Sequence, residues 1–369
     1  MPTQLQALRD QGQSPWIDFI TRRFLEDGEL GQMIRDGAVG VTSNPTIFQK
    51  AIADDELYDE QLQKLASDDI NPYDAFIEIA CEDIRNACDQ LAETHAHRGP
   101  RGIRDGWVSL EVDPRLAHDT VATLAEARRL HELVDRPNLM VKIPGTEEGL
   151  GAIESATALG IPVNVTLLFS LRRHRQAAEA YVRGLRRLHE AGGELSAVAS
   201  VASFFVSRVD TEADRRLDEI GGHDELKGKL AIANAKLAYQ TYREVFSGLE
   251  WEELIGAGAT PQRCLWASTS AKNPAYRDVV YVEQLIGPET VNTLPLETIR
   301  AFEDHGEVAR TIDDDVDRAR RTLQAFSDAG VDYDDVVATL EREGVQKFAD
   351  SFHELIESVA SSLRGAGSR

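Results

Sequence analysis

One lysine interrupts the apolar run Leu139-Met140-Val141-Lys142-Ile143-Pro144. An ammonium is expensive to bury, so this position asks for a reason. A neighbouring carboxylate or a side chain that snorkels from an outer face would supply one. The other reason is chemical. Desolvation disfavours a charged amine, and only a neutral amine attacks a carbonyl. A lysine inside such a run is therefore suited to forming a Schiff base. The chain carries 32 Arg and only 8 Lys, and the other seven lysines lie in polar or loop-like stretches.

Carboxylates interrupt two further apolar runs. Glu111 ends Val108-Ser109-Leu110-Glu111, and Asp18 sits within Trp16-Ile17-Asp18-Phe19-Ile20. Glu111 could neutralise Lys142, and it could shuttle protons to a carbinolamine. These roles are compatible, because Schiff-base chemistry needs a proton carrier. Asp18 is open between acid/base work and helix capping. In Pro162–Phe169, Asn164 and Thr166 are two apart and so share one face of a strand. They would put an amide and a hydroxyl beside the lysine. Asn164-Val165-Thr166 also spells a glycosylation sequon, which a cytoplasmic chain would leave unused. Asn44 offers a further amide, although Asn-Pro is a strong turn signal. For an anionic substrate, candidate ligands are Ser203 and Arg208 after the sixth apolar run, and Ser268 and Lys272 after the seventh. Arginine suits phosphate as a fork and lysine as a point charge. The clusters Arg172-Arg173-His174-Arg175 and Arg186-Arg187 fall in helical patterns and are expected on solvated faces.

The strands expected to position these residues are 16–20, 38–42, 107–112, 139–143, 162–169, 198–205, 264–268 and 291–294. Several are apolar on both faces, as strands covered on both sides must be. Helical patterns alternate with them: an apolar stripe from Tyr73 to Leu91, then roughly 116–134, 147–159, 172–190, 226–246 and 275–285. Phe348, Phe352, Leu355, Val359 and Leu363 form a last stripe. Eight strands alternating with helices predict an α/β fold, a (β/α)8 TIM barrel with additional C-terminal helices. The whole chain, 1–369, reads as one domain, with roughly 311–369 as a helical extension. An open doubly wound sheet is the rival, but no G-x-G-x-x-G or Walker-type loop follows any strand. In a barrel the chemistry belongs at the carboxyl ends of the strands, where these polar residues fall.

Composition excludes other classes. The net charge of −23 repels nucleic-acid backbones. It also means that an anionic substrate needs a local cationic site. Apolar runs are too short to span a membrane, and no signal-peptide pattern opens the chain. The three cysteines read as buried free thiols, suiting a reducing cytoplasm. The nine histidines lack metal-ligand spacing, so no metal is expected.

With these residues assembled, the chain resembles the transaldolases, of the longer bacterial type with extra terminal helices. The resemblance runs from about Trp16 to the C-terminus. It rests on Gly40-Val41-Thr42-Ser43-Asn44-Pro45-Thr46, Val108 through Leu116, Met140 through Thr146, Asn164 through Ser170, and Ala267 through Pro274. It implies transfer of a dihydroxyacetone unit between phosphosugars in the pentose phosphate pathway, with no cofactor. Lys142 would form the Schiff base, Asp18 would act as acid/base for C3–C4 cleavage, and Glu111 and Thr166 would hold a catalytic water. Asn44, Asn164 and Ser203 would bind sugar hydroxyls, and Arg208, Ser268 and Lys272 the phosphate. Many members of the family carry an arginine after strand 7, where this chain has Ser270-Ala271-Lys272. A fructose-6-phosphate aldolase-type lyase and a catalytically silent phosphosugar-binding barrel are the alternatives. Either a monomer or a homodimer is compatible with the sequence.

Overall fold

Eight parallel strands close on themselves in the order β1 to β8, each paired with its neighbours in sequence and β8 paired back to β1. They are β1 Gln13–Ile17, β2 Gly40–Thr42, β3 Trp107–Glu111, β4 Leu139–Pro144, β5 Val163–Leu168, β6 Ser200–Phe205, β7 Arg263–Ala267 and β8 Thr290–Leu294. This computed structural model of the chain describes residues 2–68 and 70–366. The (β/α)8 TIM barrel expected from the alternation is the observed fold. Every strand residue is buried, as a sheet wrapped by helices requires.

Strand boundaries differ from expectation where polar residues face the lumen. β1 starts at Gln13, three residues before the expected Trp16, and ends before Asp18. Gln13 and Ser14 are buried, and Ser14 accepts a hydrogen bond from Arg263 (2.8 Å), which also pairs with Asp105 (2.9 Å). That polar plug fills the amino end of the barrel. Above it the lumen is filled by the Trp16 indole, which requires Gly40 opposite. A Cβ on Gly40 would lie 2.6 Å from the indole ring.

The helical stripe from Tyr73 to Leu91 is the helix Pro72–Gln90, capped by Asn71 with proline in its first turn. The pattern at 275–285 yields only a short helix, Val280–Glu283. Two basic residues expected in solvent are buried instead: Arg173 is held by Glu147 and Glu341, and His174 packs against Phe204. Burial pushes the His174 imidazole down to about 4, so it is neutral in the core. Lys236, also expected in a polar stretch, is buried in the helix Leu230–Val245 and donates to the Asp314 carbonyl. All three cysteines are buried free thiols. Among the described residues, no helix is long and apolar enough to cross a membrane.

The extension comprises the helices Val316–Asp328 and Tyr333–Ala366. The second does not lie on the barrel flank. Near its start the Tyr333 hydroxyl donates to Asn234 (2.7 Å) and accepts from the Leu171 amide (3.1 Å). Arg216 pairs with Asp335 in the same stretch (2.7 Å). Midway, Gly344 lies against the end of β5, where a Cβ would meet Leu167 Cδ2 at 3.2 Å. The end of β5 is irregular here, with a register shift between Val165 and Leu168 and Leu167 at φ +60°. Further on, Phe352 packs edge-on against Tyr73 and Phe76. The helix thus runs across the carboxyl end of the barrel.

Candidate active site

Lys142 and Glu111 are adjacent in register on β4 and β3, which places both side chains on the lumen face. They are 6% and 7% exposed. Lys142 Nζ donates to Glu111 Oε2 (3.1 Å) and to the Ser43 carbonyl (2.9 Å). Burial raises the Glu111 carboxyl above its ordinary range, an effect offset by Lys142 and reinforced by Asp18. Glu111 Oε1 is buried without a hydrogen-bond partner among the described residues. Such an oxygen is costly unless something fills it, so it is available to a substrate hydroxyl or a water.

Asp18 follows the end of β1, and its backbone N–H donates to Leu294 O (2.9 Å), which holds the chain in barrel register for one more residue. Thr42 Oγ1 donates to Asp18 Oδ1 (3.0 Å) and accepts from Thr293 Oγ1 (2.6 Å). Burial raises the Asp18 carboxyl; the charges of Lys142 and Arg208 and the hydrogen bonds from Thr42 and Asn44 oppose that shift. Asn44 does two jobs. Its Oδ1 caps the helix Pro45–Asp54 by accepting from Ile47 N (3.1 Å), while its side chain also hydrogen-bonds Asp18.

Asn164 is level with Lys142, and Thr166 is level with Pro144 on the same face. Asn164 Nδ2 donates to Ser109 Oγ (3.1 Å), and its Oδ1 accepts from Ser203 Oγ (2.7 Å). Asn164 and Ser203 therefore orient one another across β5 and β6. Asp18, Glu111, Lys142, Asn164, Thr166 and Ser203 all share the lumen.

Arg208 opens the helix Ser207–Ile220 directly after β6. Its guanidinium lies 4.9 Å from the Phe205 ring centroid and 6.0 Å from that of Phe348. Among the described residues, no carboxylate is in ion-pair range of it, so its charge is free for a ligand. The surface salt bridge that an isolated arginine would suggest does not form. Ser268, at φ +57°, shares a hydrogen bond with Ser207 Oγ (2.9 Å) and receives the Ser207 N–H at its carbonyl (3.0 Å). Ser268 is thereby brought to the start of the Arg208 helix, where the helix dipole favours an anion. Lys272 is not brought in. It is exposed, and its Nζ donates to Ser270 Oγ (2.7 Å).

Sequence reasoning missed Ser43, Ser109, Thr42 and Thr293, which position the reactive groups. Thr42 had a signal, since it shares the lumen parity of Gly40. The Ser43 carbonyl has none, because backbone acceptors carry no residue signature. Phe205 and Phe348 were read only as core.

A closed barrel with an amine and two carboxylates at the carboxyl ends of β4, β3 and β1, and a free cation after β6, is the layout of a barrel enzyme for carbonyl chemistry on an anionic substrate. The chain belongs to the transaldolase/fructose-6-phosphate aldolase family, which it matches over residues 15–359. Among its relatives, Transaldolase 1 of Streptomyces avermitilis is 50% identical, over 98% of this chain and 96% of that protein. The transaldolase of Thermobifida fusca is 51% identical, over 98% and 99%. That of Frankia alni is 49% identical, over 100% and 99%.

Proposed function

We propose that this protein is a transaldolase of the pentose phosphate pathway, moving a dihydroxyacetone unit from a ketose phosphate (sedoheptulose 7-phosphate or fructose 6-phosphate) to an aldose phosphate (glyceraldehyde 3-phosphate or erythrose 4-phosphate). The observation that carries this is the buried Lys142 amine held 3.1 Å from Glu111 at the carboxyl end of the barrel. Lys142 passes a proton to Glu111 and attacks the C2 carbonyl. Glu111, through a water held by Thr166, returns protons as hydroxide leaves C2, giving an iminium. Asp18 takes the proton of the C4 hydroxyl, the C3–C4 bond breaks, and its electrons move into the iminium to form an enamine. The aldose phosphate departs, and the enamine adds to the aldehyde of the next one. Water then adds to the resulting C2 iminium and breaks the C2–N bond, freeing the new ketose phosphate and the Lys142 amine. The iminium is itself the electron sink, so the scheme calls on no metal or organic cofactor. Asn44, Asn164 and Ser203 hold sugar hydroxyls. Arg208 and Ser268 hold the phosphate, and that remote contact positions the bond to be broken. We place the enzyme in the reducing cytoplasm, as a monomer or homodimer, with three buried thiols and no need of nucleic acid or membrane.

The test is acceptor dependence. With ketose phosphate alone, less than one turnover's worth of free dihydroxyacetone is expected, and steady product on adding an aldose phosphate. Steady release without acceptor would make the protein a lyase, and no covalent intermediate at all would make it a silent binding barrel.

Asp18 must be ionised to accept the C4 proton, so kcat/KM falls as pH drops through its pKa. Thr42 donates to the ionised form and holds that pKa down. Thr42→Val therefore moves the acid limb of the kcat/KM profile to higher pH. An acid limb that stays in place would remove Asp18 from this role.

A further inference from the structure

The helix Tyr333–Ala366 brings one side chain to the reactive groups. The Phe348 ring centroid lies 5.9 Å from Lys142 Nζ and 6.0 Å from Arg208 Cζ. The same ring thus borders the amine and the cation that would hold the two ends of a phosphosugar, so the intervening carbons must run beside it. Phe348 belongs by spacing to the stripe that continues in Phe352, Leu355, Val359 and Leu363. Those four are buried against the body of the protein, whereas Phe348 remains partly exposed. A cavity of about 480 Å³ lined by Arg115, Ser170, Arg173, Val345 and Ala349 flanks this part of the helix. The helix is fastened on both sides of Phe348, by Tyr333 and Asp335 before it and by Phe352 after it. The ring itself faces Lys142 and Arg208, on a helix held on both sides of it.

We propose that Phe348 is a specificity-determining residue that keeps water from the three-carbon fragment on Lys142 and so favours transfer over release. The inference rests on Lys142 as the Schiff-base lysine. Release requires two steps. The enamine carbon takes a proton, restoring the iminium; water then adds to C2, and the C2–N bond breaks to give free dihydroxyacetone and the amine. The second step also frees the ketose product of transfer, so only the first distinguishes release. An apolar ring beside the fragment opposes that first step by keeping from the enamine carbon the water that would carry in its proton.

The test measures partition, not activity alone. The full-length wild type, Phe348→Ala and Phe348→Leu are given fructose 6-phosphate with and without an acceptor aldose phosphate, and free dihydroxyacetone and transfer product are followed together. In Phe348→Ala, the ratio of release to transfer is expected to rise about tenfold. Phe348→Leu, which keeps apolar bulk, stays within a few-fold of the wild type. An unchanged ratio in Phe348→Ala, whatever happens to kcat, would overturn the proposal and leave the ring as packing. Borohydride trapping of each variant separates the two failures. A missing adduct on Lys142 in the wild type refutes the Schiff-base reading, and an intact adduct with unchanged partition refutes only the role of Phe348.

Discussion

Lys142→Met is expected to abolish both transfer and covalent trapping while leaving the barrel folded. Methionine has similar length, is flexible and carries no charge to bury. The loss in kcat should reach roughly three orders of magnitude or more, since removal of a covalent nucleophile forfeits the whole intermediate. In the wild type, borohydride with a ketose phosphate should add a reduced three-carbon or longer adduct to the peptide containing Lys142. Intact-mass and peptide mass spectrometry read the outcome. An adduct on another lysine, or residual turnover near wild type in the variant, would remove Lys142 from the centre of the chemistry. The variant should also be at least as stable to heat as the parent. It removes one charge of a buried pair, but Glu111, already pushed toward its protonated form by burial, can neutralise itself by taking up a proton. That stability change should be strongly pH-dependent: with the ammonium gone, the Glu111 pKa rises further, so Lys142→Met loses stability as pH increases through it.

Arg208→Gln should damage the enzyme in a different way. The guanidinium is flanked by aromatic rings and has no carboxylate partner among the described residues, so its removal breaks no ion pair there. The cost falls on the ligand. Losing charge-assisted hydrogen bonds to a phosphate is worth about 2–4 kcal/mol, or roughly 30- to 1,000-fold in kcat/KM. For phosphorylated substrates this should appear chiefly as a raised KM. For unphosphorylated fructose, which offers Arg208 no phosphate, the variant and the wild type should be nearly equal. Arg208→Lys should recover part of the loss, since a point charge replaces the fork. Equal losses on both substrate types would mean that Arg208 supports the fold of the pocket and does not read the phosphate.

The barrel was legible because period-two and continuous apolar runs are hard to mistake when helices separate them. Lys142, Glu111 and Asn164 were legible for a related reason: each breaks a run whose neighbours fix which face it occupies. The errors also have physical causes. The start of β1 was hidden because Gln13 and Ser14 are polar, and their satisfaction by Thr290, Leu285 and Arg263 depends on residues far along the chain. Arg173 and His174 were misplaced because a basic cluster on an amphipathic helix looks solvated until Glu147 and Glu341 arrive to bury it. Lys272 looked equivalent to Arg208 in charge and in position after a strand. The loop Ser268–Lys272 carries Ser268 at φ +57°, and the Lys272 amine is taken up by Ser270 Oγ on an otherwise exposed residue. The last helix posed a different problem. Its stripe announced an apolar face but not which surface would receive it, and only the tertiary structure distinguishes the barrel's flank from its mouth.

That crossing has a consequence for synthesis on the ribosome. Pairing of β8 with β1 becomes possible once Leu294 has emerged, and by then every strand-borne polar group of the pocket has been made. Phe348 follows 54 residues later, and the residues that fasten its helix, Tyr333, Asp335 and Phe352, lie 39 to 58 residues beyond Leu294. A nascent chain of intermediate length can thus carry a formed barrel with an uncovered lysine, open to any small aldehyde or ketone in its surroundings. Translation, rather than folding of the barrel, sets the moment at which the amine acquires its roof.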